Sequence, residues 1–276
     1  MNMRTLRALV ALAVALGAGV CVLIAIRWLT PKPPRPPARE EVSVTIVEGT
    51  TIDDLAHQLQ REFGVSVTAT RELIGMSADR KSFDAGYRLT YSFLQDLPRT
   101  RSLEGYLFPD TYRVWKDELP TALIDKQLTT LRKKVDRLDR GRITRMDDIV
   151  TLASIVEREV KAPADMVHVA CVFMNRLDIG MPLQSDATLE YVTQSKRARA
   201  STNDLALENA YNTYKHKGLP PGPISLPGQA ALQAVMDAAS QKIACDELYF
   251  LTDKQGHVLY ARTFEEHRRN RVRAGM

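Results

Sequence analysis

Two carboxylic acids stand two residues apart in Leu152-Ala153-Ser154-Ile155-Val156-Glu157-Arg158-Glu159. A carboxyl group enclosed by apolar surface, without a cation beside it, keeps its proton toward neutral pH. That is the property a general acid needs. Apolar residues at 149, 152, 153, 156 and 160 recur at the spacing of one helix face, and Asp147 or Asp148 stands where a cap belongs. The stripe centres near Ile149 and Val160, and Glu157 and Glu159 fall on its opposite edges. Side chains at i and i+2 of a helix do not face one another. The two acids therefore do not form a carboxylate pair in one cleft, and at most one of them looks into a pocket. The plain alternative is that Glu157 pairs with Lys161 one turn on, across a solvated face. Spacing alone favours that alternative.

Other stretches offer surfaces for binding. Glu104-Gly105-Tyr106-Leu107-Phe108-Pro109-Asp110-Thr111-Tyr112 gathers three aromatic rings around turn residues, which suits a loop sealing the core or a groove wall on which a ring could stack. Gly218 to Gly228 holds four prolines and three glycines in eleven residues, a loop of fixed shape. Tyr211-Asn212-Thr213-Tyr214 leads into it, and rigid loops carrying polar and aromatic groups are common sites of binding. No CxxC pair and no His/Cys cluster has metal-ligand spacing, so no metal and no cofactor are expected. Three cysteines argue against a disulfide framework; Cys171 reads as a core residue and Cys245 as a lone thiol.

The elements that must position these residues read as an α+β chain. Arg4 and Arg7 precede an uncharged run from Ala8 to Ile26, followed by Trp28, which is long enough to span a bilayer. The run continues past the length of a signal-peptide core, so an uncleaved transmembrane helix is expected over residues 8–29, after a short N-terminus of residues 1–7. Pro31 to Pro37 holds five prolines in seven residues and makes residues 30–40 a stiff linker. Val42, Val44 and Ile46 alternate as in a strand, and Thr51 caps a helix, so residues 41–100 form a small module. Tyr87 to Tyr91 reads as a short strand. Residues 101–276 form the larger domain, with helices near 119–138, 165–177 and 229–239 and two strands around a turn at 253–256. The net charge of +5 suits anionic partners in general, but the basic residues are scattered and no nucleic-acid motif is present. No nucleic-acid partner is expected.

Several of these stretches together resemble one family, the YceG-like (MltG) endolytic murein transglycosylases. The resemblance rests on residues 104–112, 152–159, 172–188, 210–228 and 248–260 with His267. Val44 to Gly49 with the helix behind it resembles the family's LysM-like module. The resemblance implies a single-pass protein of the bacterial inner membrane with its catalytic domain, residues 101–276, in the periplasm. It implies cleavage of nascent peptidoglycan glycan strands between MurNAc and GlcNAc, leaving 1,6-anhydroMurNAc ends and ending strand growth. The catalytic acid it implies is Glu157, not Glu159. The partners it points to are the bifunctional penicillin-binding proteins and the elongation machinery. Within such a groove, Asn175, Gln184, Ser185, Asp186, Tyr211, Asn212 and Tyr214 are the substrate-binding candidates, offering amide and hydroxyl groups and tyrosine faces. Asn175 and Asp186 equally suit turn caps. An acidic partner for Glu157 could come through space from Asp186 or Asp110. Ala187 and Glu190-Tyr191-Val192 depart from the family pattern at one wall. The alternative function is a non-catalytic, membrane-anchored peptidoglycan-binding or scaffold protein.

Overall fold

The computed structural model describes residues 2–5, 7, 20, 24, 27, 38–76, 82–136, 143, 145–195, 200–242 and 244–276. The chain divides into two compact units, residues 1–39 and residues 40–276. Of the expected anchor, Val20, Ile24 and Arg27 are described, each helical, and the rest of it lies outside the described residues, as does the linker through Pro37. Among the described residues no helix is long and apolar enough to cross a membrane.

The second unit is a mixed α+β structure, about half of it helical. Strand β1 (Glu41–Thr45) opens it and pairs antiparallel with β2 (Thr111–Trp115), Glu41 opposite Trp115 and Thr45 opposite Thr111. Alternation sends Val44, Tyr112 and Val114 into the core. The boundary expected at residue 100 thus falls inside one unit, because β1 finds its partner beyond it. Helix α1 (Ile52–Phe63) begins with a capping box: the Thr51 hydroxyl accepts from the Asp54 N–H, and the Asp54 carboxylate accepts from the Thr51 N–H. It ends at Gly64 in the left-handed conformation. Helix α2 (Val67–Ile74) packs against it. The strand expected over Tyr87–Tyr91 is instead a short helix, α3 (Ala85–Thr90), capped by Asp84. Tyr87 and Tyr91 are both buried, and an i, i+4 pair fits one helix face as well as it fits alternation.

Helix α4 (Thr121–Val135) buries Leu123, Leu128, Leu131 and Val135 and leaves its basic residues outside. The centre is α5 (Met146–Glu159) and α6 (Pro163–Asp178), with Pro163 in the first turn of α6, where its missing N–H costs nothing. Helices α7 (Asp186–Thr193) and α8 (Thr202–Ala206) follow, and α9 (Gln229–Ala239) lies across α5 and α6. Its face of Ala231, Ala234, Val235 and Ala238 is buried there. β3 (Tyr249–Thr252) and β4 (Val258–Ala261) form the expected hairpin, and α10 (Phe264–Arg273) closes the chain as a solvated basic helix.

The expectation for the cysteines is also corrected. Cys171 and Cys245 are joined by a disulfide across a separation of 74 residues, tying α6 to the segment that enters β3. A pairing over that distance has no spacing signature; only the docking of the hairpin on α6 makes it.

Candidate functional site

Helix α5 is not an amphipathic surface helix. Every residue from Ile149 to Glu157 is buried, because α6, α9 and the 218–228 loop cover it on separate sides. The last turn therefore sends its polar groups into enclosed space in three directions.

Glu157 points at the loop. Its Oε2 accepts the N–H of Gly228 at 3.0 Å, and the side chain is 2 % exposed. Gly228 is the N-cap of α9, so the acid meets the positive end of that helix. The loop is fixed to α5 one turn earlier: the Ile224 N–H donates to Ser154 Oγ at 3.0 Å, and Ser225 Oγ donates to the Ser154 carbonyl at 3.0 Å. A second attachment fixes it to the turn before α1, where the Gly49 N–H donates to the Leu226 carbonyl at 2.9 Å and the Leu226 N–H to the Thr50 carbonyl at 2.8 Å. Gly105 packs under it with φ at +83°; a methyl group there would stand 2.4 Å from Pro223 Cβ. Burial pushes the Glu157 carboxyl above its ordinary range, the Gly228 N–H opposes this, the nearby Glu48 charge adds to it and Lys161 opposes it. The ion pair of the plain alternative is not made: Lys161 Nζ reaches the Glu157 carbonyl, at 3.5 Å, rather than its carboxylate.

Arg158 turns to Glu190 at 2.9 Å, so one departure from the family pattern supplies a buttress for the helix end. Glu159 turns the opposite way from Glu157, as its spacing requires, and accepts a hydrogen bond from Ser185 Oγ. Burial lifts its carboxyl to about 7, with Ser185 opposing and Asp186 and Glu190 adding. Glu157 is buried and Glu159 half-buried, so each meets its own wall.

The binding candidates divide. Ser185, Asp186 and Tyr214 come together beside Glu159: Tyr214 OH donates to Asp186 Oδ1 at 2.6 Å, and the Ser185 N–H donates to Thr213 Oγ1 at 3.0 Å. Gln184 is exposed with φ at +51°. Tyr211 lines a cleft and stacks obliquely on Tyr191, ring centres 5.3 Å apart. The amides of Asn175 and Asn212 are engaged by backbone carbonyls. The Asn175 amide donates to the carbonyls of Cys245 and Glu247, and the buried Asn212 amide to those of Leu205 and Leu207. Tyr106, Leu107 and Phe108 are buried and seal the core, with Tyr106 OH donating to Asp147 at 3.0 Å. Neither Asp186 nor Asp110 is the acid beside Glu157; Glu48 is.

The cleft, about 1230 Å³, runs between the β1–α1 turn and the helix ends, lined among others by Glu48, Gly49, Glu104, Arg158, Lys161 and Tyr211. Glu104 was not singled out as an acid in the sequence. It is buried, accepts from the Ile52 N–H at 3.2 Å and from Tyr191 OH at 3.1 Å, and burial lifts its carboxyl to about 8. Its place at the head of the aromatic stretch was the available signal. Among the described residues no group of His, Cys, Asp and Glu could hold a metal ion.

These features define a protein with a large cleft and, next to the Glu48–Gly49 turn that lines it, an enclosed carboxylic acid at a helix end. The chain belongs to the YceG-like family, whose model matches residues 25–273. It is 33 % identical over 245 residues to the endolytic murein transglycosylase of Streptococcus pneumoniae serotype 2 strain D39, covering 83 % of this chain and 44 % of that protein. It is 34 % identical over 170 residues to the protein of the same name from Bacillus subtilis strain 168, covering 60 % of this chain and 46 % of that one. The chain thus spans less than half the length of the curated relatives it matches. A crystal structure of a putative yceG-like protein from Listeria monocytogenes superposes with a TM-score of 0.65 at 27 % identity, covering 83 % of this chain and 75 % of that one.

Proposed function

We propose that this protein is an endolytic peptidoglycan lytic transglycosylase that cuts nascent glycan strands between MurNAc and GlcNAc and ends their growth. The observation that carries the reading is Glu157: a buried carboxyl, held toward its protonated form, bonded through Oε2 to a fixed backbone N–H. With Oε2 accepting, the proton resides on Oε1 and is free to leave. Glu157 gives that proton to the glycosidic oxygen of the departing GlcNAc. The substrate's N-acetyl group stabilises the charge growing at C1. The Glu157 carboxylate then takes the proton of the C6 hydroxyl as that oxygen attacks C1, closing a 1,6-anhydro ring without consuming water. A single acid serves both transfers, unlike the two-carboxylate hydrolases. Relatives named endolytic murein transglycosylase support this reading.

The proposal includes a single membrane anchor over residues 8–29, with residues 40–276 in the periplasm and residues 41–100 serving as a LysM-like element. The Cys171–Cys245 disulfide supports export, since thiols in the cytosol are kept reduced. Bifunctional penicillin-binding proteins and the elongation machinery are the proposed partners.

The test is a digest of uncrosslinked glycan strands by the full chain in detergent, read by mass spectrometry. Anhydro-muramyl ends are expected. Reducing ends would replace the lytic mechanism with hydrolysis, and no products from folded protein would favour a scaffold.

A further inference from the structure

The mechanism above uses one carboxylate, yet a second stands beside it. Glu48 lies on the turn after β1, exposed and lining the cleft. Gly228 separates it from Glu157. On one side the Gly228 N–H is bonded to Glu157 Oε2 at 3.0 Å. On the other, a methyl group built on Gly228 would stand 1.9 Å from Glu48 Oε1, so that carboxylate rests directly on the glycine backbone. The turn also approaches the acid itself: a methyl group on Gly49 would lie 3.8 Å from Glu157 Cγ. The approach is fixed by the paired backbone bonds between Gly49, Thr50 and Leu226.

Taking the lytic reading as its basis, we propose that Glu48 is a positioning residue for Glu157, delivered by the β1–α1 turn so that its carboxylate faces the acid across Gly228. The arrangement has a direct consequence. A negative charge at this range disfavours ionisation of Glu157 and holds the transferable proton on it. Two groups act against Glu48: the Gly228 N–H at the start of α9 and the Lys161 ammonium. The other charged side chains of that helix end, Arg158 and Glu159, are turned away to Glu190 and Ser185. The turn before α1 is thereby part of the acid's machinery and not only a glycan-binding appendage.

The experiment compares full-length wild type, Glu48→Gln and Glu48→Asp in detergent. Two quantities are read: the pH–rate profile of strand cleavage, and the carboxyl ¹³C titration of Glu157, assigned by its absence in Glu157→Gln. In Glu48→Gln the alkaline limb moves to lower pH by about one unit, the effect of one partly solvated charge at such range. The rate on the acid side is retained, and the Glu157 resonance moves by the same amount. Glu48→Asp keeps the charge and moves both less. An unmoved limb with an unmoved Glu157 titration overturns the proposal. So does an equal loss at every pH with a lowered melting temperature, which marks Glu48 as structural. Absence of anhydro ends from the wild type would remove the lytic reading separately, and the Glu157 titration would still decide on Glu48.

Discussion

Glu157 and Glu159 end the same helix, and the walls they meet are chemically different. Glu157 meets a backbone N–H locked in place by the 218–228 loop, beside an exposed carboxylate at the cleft. Glu159 meets a side-chain hydroxyl inside a closed group formed with Ser185, Asp186 and Tyr214. Glu104, on a third wall, is bonded to an N–H and a tyrosine hydroxyl. Burial raises all three carboxyl groups, Glu104 to about 8 and Glu159 to about 7. A perturbed acid is therefore not a sufficient mark of the working one, since structural networks perturb acids too. What separates Glu157 is that its fixed backbone donor engages one oxygen only, whereas both oxygens of Glu104 accept, and that the Glu48 carboxylate stands beside it.

The largest expected effect breaks that comparison directly. Glu157→Gln lowers strand cleavage by roughly a hundredfold or more while the protein stays folded, the range expected for loss of a general acid. Glu159→Gln keeps most activity, because an amide oxygen can still accept from Ser185. Equal losses in the two variants, measured on the same strands, would erase the distinction. Next comes the donor wall. Gly228→Ala puts a methyl group where the exposed Glu48 carboxylate rests, so that side chain swings away while the N–H of residue 228 stays on Glu157. The alkaline limb of cleavage is expected to move to lower pH, as in Glu48→Gln, with the acid-side rate retained; an equal fall at every pH would show that the backbone at the donor wall moves instead.

The remaining two concern stability. Replacing Cys171 and Cys245 together by alanine is expected to cost about 2–4 kcal/mol, the usual worth of a bridge closing a long loop, read as a lower melting temperature that reductant no longer changes. The last prediction sharpens the contrast among the three acids. Glu104 and Glu159 keep in the folded state protons that the unfolded chain releases above the ordinary value of 4.5. Their contribution is complete below that value and is lost as pH rises through about 7 and about 8. The melting temperature should fall between about pH 5 and about pH 8.5, and the Glu104→Gln/Glu159→Gln double variant should flatten that slope.

Much of this was legible in the chain alone. Helical spacing located α5, placed its two acids on different sides and excluded a pair between them, because the angle between i and i+2 follows from the helix itself. Thr51 marked the cap of α1, and the prolines of 218–228 marked a loop of fixed shape. Local chemistry determines such features. Tyr87–Tyr91 misled because a short aromatic run satisfies both periods.

Tertiary structure decided the rest. No local pattern brings Glu48 to Glu157, Cys171 to Cys245 or Glu104 to Tyr191, since each pair is joined by the docking of segments distant in sequence. Nor could spacing say which candidate polar groups are already committed. Asn175 and Asn212 carry the right chemistry for a sugar, but backbone carbonyls of neighbouring loops occupy their amides. The sequence by itself determined which residues stand on one helix and which way they turn. Only the packed structure determined what each one meets there, because burial, hydrogen-bond partners and nearby charge are properties of the wall opposite.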